Sequence, residues 1–200
     1  MWAMLRSAVS DTVLTGPRVL LRPPVSQDAR AWVTLRRASE AFLQPWEPTW
    51  PPDGASIAAF QRRRAQVKED WHAQTGYGFL IFSRDGREML GGITLSNVRQ
   101  GVARTGSLGY WVGAASARHG YMTEAVRCVL DYSFGVLQLH RVEAACLPAN
   151  EASRGLLLKC GFREEGLARE YLKINGRWCD HVTFGILHGD PRPGVASLQT

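Results

Sequence analysis

The sequence predicts one α+β domain in which a mostly antiparallel, mixed sheet carries helices on both faces. Two hairpin signals, Asp85-Gly86 and Asn175-Gly176, lie between runs of strand-forming residues. Apolar residues spaced by three and four mark helices between other strands. The chain of 200 residues, 45% of them apolar, is long enough for one sizeable core. The predicted element order is β-α-α-β-β-β-α-β-α-β-β.

The first strand is predicted at Val19 to Arg22 and stops at Pro23, because proline cannot donate a ladder hydrogen bond. Ser26 is expected to cap a helix from Gln27 to about Ala38, with Asp28 in its first turn. A strand followed by a capped helix therefore opens the domain.

The segment from Phe42 to Ala55 is predicted to be irregular because it contains four prolines and a glycine. A second helix runs from Ser56 to about Gln74. Three strands follow, at Tyr77 to Ser83, Met89 to Asn97 and Ala103 to Val112. The first two of these strands flank the Asp-Gly turn and form a hairpin.

A loop of mainly small residues, Gly113 to Gly120, joins the last of these strands to a helix predicted from near Met122 to Val136. A helix begins with free N–H groups and a partial positive charge, and so it favours an anion. Gly120 allows a close backbone approach, while Arg118 and His119 add donors. Strand, small-residue loop and helix suit a pyrophosphate, although this arrangement is also a common connection.

The C-terminal part predicts a strand at Arg141 to Cys146 and a short helix within Leu147 to Phe162 that stops at Gly161. Ala168 to Ile174 and Arg177 to Leu187 then pair around the Asn-Gly turn. Together with the preceding elements they complete a domain that we assign to residues 1–188. Residues 189–200 are expected to form a flexible tail.

Several protein classes are disfavoured by composition. No run of 18 apolar residues exists, so we expect no transmembrane helix, and the start of the chain does not resemble a signal peptide. The cysteines lack CxxC spacing, which favours buried free thiols in a reducing cytoplasm and no metal site. They are Cys128, Cys146, Cys160 and Cys179.

The formal net charge of +6 is compatible with nucleic acid, the ribosome or a polyanionic cofactor as a partner. The basic residues are scattered, and the one dense cluster, Arg62 to Arg64, is expected to be a solvated helix face. No RNA-binding or zinc-finger pattern is present, and we expect no DNA partner.

The element order, with a loop-helix after the fourth strand, resembles the GNAT superfamily of acyl-CoA-dependent N-acetyltransferases. The pyrophosphate loop of that family reads Q/R-x-x-G-x-G/A and falls here on Ala117 to Met122. Two positions depart from it, because Ala117 replaces Gln or Arg and Met122 replaces the small last residue. Backbone amides make most of the contacts in such a loop, so the site is expected to survive both departures.

Three further segments resemble the ribosomal-protein-alanine N-acetyltransferase branch (RimJ-like). They are an acceptor-side loop at Phe42 to Pro48, an N-x-x-S…G-F-x-x-E-G pattern within Leu147 to Gly166, and a terminal hairpin at Glu170 to Val182. The resemblance covers Val19 to Leu187. It implies a GNAT-like domain and acetyl-CoA as co-substrate.

The same resemblance implies the residues that bind acetyl-CoA. An exposed strand edge can pair with the pantetheine arm, although Trp111 and Val112 also fit simple core alternation. Asn150 is expected to hydrogen-bond pantetheine, while a helix N-cap is its structural alternative. The cofactor-binding candidates are Tyr110, Trp111, Val112, Arg118, His119, Gly120, Tyr121, Met122, Thr123, Asn150 and Ser153.

Two candidates for catalysis follow from the branch pattern. Ser153 would protonate the leaving thiolate or hold its sulfur, and Glu165 would act as base through water. Glu164 is the rival of Glu165, but adjacent residues at a strand start point to opposite sides.

The acceptor side is expected to include Trp46 as an apolar wall and Glu47 as a partner for the cationic amine, with Tyr171 and Asp180 on the last hairpin. Glu124, in the first turn of the helix after the loop, is predicted to be structural because it complements the helix dipole.

Three functions remain open at this point. The first is acetylation of Ala- or Ser-starting protein N-termini, including those of ribosomal proteins, with possible ribosome contact by a monomer or homodimer. The second is acetylation of a small amine such as an aminoglycoside or polyamine. The third is a non-catalytic, ribosome-associated CoA-binding module. A dinucleotide-binding domain is disfavoured because G-x-G-x-x-G is absent.

Overall fold

The computed structural model describes residues 12–193 and forms one mixed sheet of eight strands in the order β1-β2-β3-β4-β5-β6-β8-β7. Neighbouring strands are antiparallel except β5 and β6. The strands are β1 Leu14–Thr15, β2 Val19–Arg22, β3 Tyr77–Ser83, β4 Met89–Arg99, β5 Thr105–Val112, β6 Arg141–Cys146, β7 Arg163–Ile174 and β8 Arg177–Leu187. The helices are α1 Ala29–Ala38, α2 Glu40–Leu43, α3 Ile57–Ala73, α4 Tyr121–Asp131 and α5 Glu151–Lys159.

Helices cover both faces of the sheet, as predicted. On one face α1 and the first half of α3 pack on β3, β4 and β5 through a cluster that includes Trp32, Phe60 and Trp111. On the other face α4 and α5 contribute buried residues such as Val129 and Leu157 to the larger core. The sheet is therefore buried on both sides where it carries the site described below.

Both predicted hairpins are confirmed. Asn175 and Gly176 have φ values of 44° and 81°, which is the backbone of a type I′ turn, between β7 and β8. Gly86 has a φ of 74° in the turn between β3 and β4. The second helix begins where predicted, and Ser56 is its N-cap, because its side chain accepts a hydrogen bond from the amide of Ala59.

Some element boundaries differ from the prediction. A short strand, β1, pairs with β2 and was not predicted. β7 begins at Arg163 and not at Ala168, since register shifts at Glu164/Gly166 and Ala168/Leu172 break the alternation of apolar and polar residues. The segment expected to be irregular begins within the one-turn helix α2 and continues as a 3₁₀ turn at Gln44–Trp46.

Helix ends differ as well. Ser26 does not cap α1; instead the Asp28 carboxylate accepts from the amide of Val25 and binds Arg22 through two hydrogen bonds. The long helix predicted to reach Val136 is α-helical only to Asp131 and continues as a π-helical turn.

The expected tail is partly packed. The Asp190 carboxylate accepts from the amide of Leu187 and pairs with Arg163, and Arg192 pairs with Asp131. Residues 1–11 and 194–200 lie outside the described part of the chain, and so do most of the predicted tail and nearly all of the segment considered as a signal peptide. No helix between residues 12 and 193 is long and apolar enough to span a membrane.

Candidate active site

The site is built around a gap between β5 and β6. Their pairing runs from Thr105 with Arg141 to Leu108 with Ala144, yet both strands continue beyond it. The amide of Gly113 donates to the carbonyl of Leu90 on β4. Because hydrogen-bonded pairs recur at every second residue of an antiparallel ladder, the amides of Tyr110 and Val112 point away from β4 and into the gap.

The loop before α4 presents further free amides at one end of this gap. Arg118 and Gly120 have φ values of 63° and 84°, so the chain turns sharply into the helix. The amide of Glu124 donates the first backbone hydrogen bond of α4, to the carbonyl of Gly120. Among the described residues the amides of Tyr121, Met122 and Thr123 therefore have no acceptor.

Side chains around the loop divide into two groups. Met122 and Thr123 are buried, so that only their backbone can reach a ligand, whereas Arg118 and His119 are exposed. The predicted loop thus has the geometry of an anion site in spite of its two departures from the family pattern.

Glu124 has the structural role predicted for it. Its carboxylate accepts from both the amide and the Nε of Arg18, at 2.8 and 2.6 Å. The Arg18 guanidinium lies 5.1 Å from the centre of the Tyr121 ring, and His119 stacks with the same ring at 6.0 Å between centroids. These contacts tie the start of α4 to the chain entering β2.

A hydrogen-bonded pair occupies the other end of the gap. The Tyr110 hydroxyl lies 2.8 Å from the Ser153 Oγ, and the Asn150 Oδ1 accepts from the amide of Ser153 at 3.0 Å. Asn150 is therefore the N-cap of α5, which was its structural alternative, and its side-chain amide group has no partner among residues 12–193. Burial raises the pKa of Tyr110, so that the hydroxyl is a neutral donor.

Cys146, at the end of β6, adjoins this pair. Burial raises the pKa of its thiol, while a hydrogen bond with Ser153 acts in the opposite direction. Tyr110, Ser153 and Cys146 therefore form a neutral, proton-rich wall of the gap.

Glu165 does not contact the Tyr110–Ser153 pair. Both of its carboxylate oxygens accept hydrogen bonds from Arg141, which lowers the pKa of the carboxyl. Alternation along β6 places Arg141 on the opposite sheet face from Cys146. Glu164 binds Arg154 of α5, so the two glutamates do point to opposite sides. Because Glu165 is paired with arginine and lies outside the cavity described next, we do not assign it as base.

A cavity of about 450 Å³ lies on the sheet face that carries α1 and α3. The backbone from Gly109 to Trp111 forms one border, so the cavity adjoins the gap. The residues around it are Trp32, Arg36, Glu47, Pro48, Thr49, Trp50, Pro51, Gly54, Ala59, Arg63, Gly92, Thr94, Ser96, Gly109, Tyr110 and Trp111.

Glu47, which was expected to hold the cationic amine, lines this cavity but is already paired. Its carboxylate accepts from Arg36 Nη1 and Nη2 at 2.8 and 2.6 Å and from Trp50 Nε1 at 2.7 Å. The Arg36 guanidinium lies 4.0 Å from the centre of the Trp50 ring and 4.8 Å from that of Trp111. Trp46 is exposed and does not line the cavity, so Trp50 supplies the apolar wall predicted for it.

The β7–β8 hairpin reaches the same loop. The amide of Asn175 donates to the carbonyl of Glu47 at 3.0 Å. Asp180 accepts from the amide of Glu170, whose φ of 45° marks a strained position in a bulge. Tyr171 is half exposed and packs edge-on against His181. Neither Tyr171 nor Asp180 lines the cavity.

The sequence did not identify Arg36, Trp50 or Arg63 as site residues. The only signal for Trp50 was its position in an apolar, proline-rich segment, and Arg36 and Arg63 looked like ordinary polar positions of helices. Within residues 12–193 no cluster of three His, Cys, Asp or Glu side chains could hold a metal ion.

Known proteins that resemble this chain in sequence or in fold are acetyltransferases. The sequence model of the acetyltransferase (GNAT) domain family matches residues 18–163. The [ribosomal protein uS5]-alanine N-acetyltransferase of Escherichia coli is 32% identical over 94% of this chain and 97% of its own length.

Two solved structures superpose over most of the chain. Mycobacterium smegmatis RimJ in complex with CoA-disulfide has a TM-score of 0.83 at 36% identity, covering 89% of this chain and 88% of the other. The ribosomal-protein-S5-alanine acetyltransferase of Vibrio fischeri has a TM-score of 0.83 at 28% identity, covering 92% and 100%.

Proposed function

Because the chain belongs to the acetyltransferase (GNAT) domain family and is an acyltransferase related to ribosomal-protein N-acetyltransferases, we propose that it acetylates protein N-termini. The acceptor is the α-amine of a protein that starts with Ala or Ser, drawn from the ribosomal proteins, and the acetyl donor is acetyl-CoA. The proposed location of the enzyme is the cytoplasm. The observation that carries the proposal is the gap between β5 and β6, which joins the amide-rich loop, the Tyr110–Ser153 pair and the cavity.

The residues present fit acetyl-CoA. The free amides of Tyr121, Met122 and Thr123 and the exposed Arg118 and His119 suit its pyrophosphate. The inward-facing amides of Tyr110 and Val112 suit the pantetheine arm and the thioester oxygen, where a donor stabilises developing charge. The free side-chain amide group of Asn150 would donate to the same arm.

Ser153 and Tyr110 supply the proton for the leaving thiolate. The Ser153 Oγ is hydrogen-bonded to the Tyr110 hydroxyl, so a proton given up by Ser153 is replaced from Tyr110, and the proton that the attacking amine releases restores Tyr110 through solvent. Little is needed of a base, because an unperturbed α-amine has a pKa of about 7.7–8.0 and roughly a tenth of it is neutral at pH 7.

Polycationic acceptors fit the cavity poorly. Its charged side chains are Arg36, Arg63 and Glu47, and Glu47 is already paired with Arg36. A polyamine or aminoglycoside would meet net positive charge there. A peptide N-terminus brings one amine and several carbonyl acceptors, which this lining accommodates.

The test is incubation of the protein with acetyl-CoA and peptides that start with Ala, Ser, Met or Gly, and separately with spermidine and an aminoglycoside. Mass spectrometry should show a gain of one acetyl group on the Ala and Ser peptides. A pre-acetylated Ala peptide serves as control and should not gain mass.

Two results would contradict the proposal. Transfer to the small amines alone would reassign the acceptor, and CoA binding without any transfer would favour the non-catalytic module.

A further inference from the structure

Arg63 of α3 differs from its neighbours in the basic cluster. Arg62 pairs with Asp53 at 2.6 Å, and Arg64 donates to Gln61 at 3.0 Å. Arg63 has no hydrogen bond or ion pair within residues 12–193, and it lines the cavity. Arg62 and Arg63 are both exposed, as expected of a solvated helix face, but Arg63 also lines the cavity.

The charge of Arg63, which lines the cavity with its side chain exposed to solvent, has no ion-pair partner within residues 12–193. The other two charged lining residues, Arg36 and Glu47, neutralise each other through two hydrogen bonds. The surrounding protein and the positive charge of Arg36 both lower the pKa of Arg63, although an arginine stays charged at neutral pH. A carboxylate bound beside Arg63 would restore charge balance and make a bidentate, charge-assisted hydrogen bond.

The residues that line the cavity also indicate where such a carboxylate would bind. The acceptor amine must reach the gap beside Gly109, while Arg63 stands on α3 at another side of the same cavity. The hydroxyls of Thr94 and Ser96 lie on β4 beneath that space. Since an extended chain spans roughly 3.3–3.6 Å per residue, a side chain a few residues from the N-terminus can approach Arg63.

We propose that Arg63 is a specificity residue that favours acceptor N-termini with an Asp or Glu among their first few residues. This inference rests on the proposed function, because it concerns the peptide that the same cavity receives. The ligand class is an acidic N-terminal segment with a free α-amine.

The experiment compares peptides that differ in one side chain. Each starts with Ala, ends in a C-terminal amide, and carries a single Glu or its isostere Gln at position 2, 3 or 4. For one position, kcat/KM of the Glu peptide should exceed that of the Gln peptide about twofold to fivefold, the size expected for an ion pair that stays open to solvent. The preference should weaken as salt rises.

Variants assign the preference to Arg63. Arg63→Gln should remove it by lowering only the rate on the Glu peptide, and Arg63→Lys should retain part of it. Arg62→Gln is the matched control, since Arg62 pairs with Asp53 outside the cavity, and it should leave the preference intact. KM for acetyl-CoA and the melting temperature should stay unchanged in all three variants.

Each contrary outcome has a separate meaning. Equal acetylation of Glu and Gln peptides by the unaltered enzyme would overturn the Arg63 inference and leave N-terminal acetylation in place. An equal loss on both peptides in Arg63→Gln would show that Arg63 only maintains the cavity. Failure to acetylate any peptide would overturn the proposed function itself.

Discussion

At the residue scale, the Tyr110–Ser153 hydrogen bond carries the chemistry assigned to the gap. Both groups are neutral, and one of them must give a proton to a thiolate. A serine is a weak acid by itself, but a second hydroxyl within hydrogen-bonding distance can replace its proton as it leaves.

Ser153→Ala is therefore expected to lower kcat by roughly 100-fold, the usual effect of removing a positioned proton donor, with little change in KM for the peptide. Tyr110→Phe should lower kcat less, since Ser153 keeps its own proton. Steady-state kinetics with an Ala-starting peptide measure both. The exposed Ser26→Ala is the control, and an unchanged kcat in Ser153→Ala would exclude the serine as donor.

Substitution of Glu165, by contrast, is expected to lower activity only a little. Glu165→Gln should lose far less than the roughly 100-fold that removal of a general base causes, because Arg141 already holds the carboxylate. Glu164→Gln, which removes the neighbouring carboxylate that binds Arg154, is the parallel control. A large loss in Glu165→Gln alone would restore Glu165 to the site.

The pH dependence of stability follows from the same ion pair. Arg141 lowers the folded-state pKa of Glu165, so the stabilisation is present above the unfolded pKa of about 4.3 and is lost as pH falls through the folded value. Urea unfolding should therefore give a higher free energy of unfolding for the unaltered protein than for Glu165→Gln at pH 7, and this difference should disappear in acid. The difference in unfolding free energy should shrink in high salt, since this carboxylate is substantially exposed.

At the element scale, the start of α4 depends on one glycine. Gly120 has a φ of 84°, and a Cβ there would lie 3.1 Å from the Arg18 guanidinium. A left-handed backbone costs other residues about 1–2 kcal/mol. The added methyl group would also adjoin the free amide of the next residue, Tyr121, where an anion would approach.

Gly120→Ala should thus destabilise the fold by about 1 kcal/mol and also weaken CoA binding. Gly101→Ala separates the two effects. Gly101 has a similar φ of 69° but lies in the open turn between β4 and β5, where an added methyl group would have no neighbour within 4 Å. Calorimetric titration with CoA should show weaker binding only in Gly120→Ala. Equal affinities would mean that the loop does not contact the carrier.

At the scale of the whole molecule, local sequence patterns predicted the secondary-structure elements better than the tertiary contacts between them. Asn175-Gly176 and Ser56 act through neighbours in the chain, and the structure agrees with both. The pairing of Glu165 with Arg141 could not be predicted, because Arg141 lies 24 residues away, beyond any local pattern. Arg36 and Trp50 meet through tertiary contacts for the same reason, and only the fold brings Arg63 to the cavity.

The divergence of β5 and β6 gives the last prediction, because it leaves backbone groups unpaired in the middle of a sheet. The amides of Tyr110 and Val112 face the gap, and those of Tyr121 to Thr123 lack helical acceptors. Hydrogen exchange should be fast at these amides in the free protein and slow when CoA is added. Leu108, within the paired part of β5, should exchange slowly in both states. Protection that appears elsewhere while these amides stay fast would place the carrier outside the gap, since a bound amide chain must satisfy the donors it lies against.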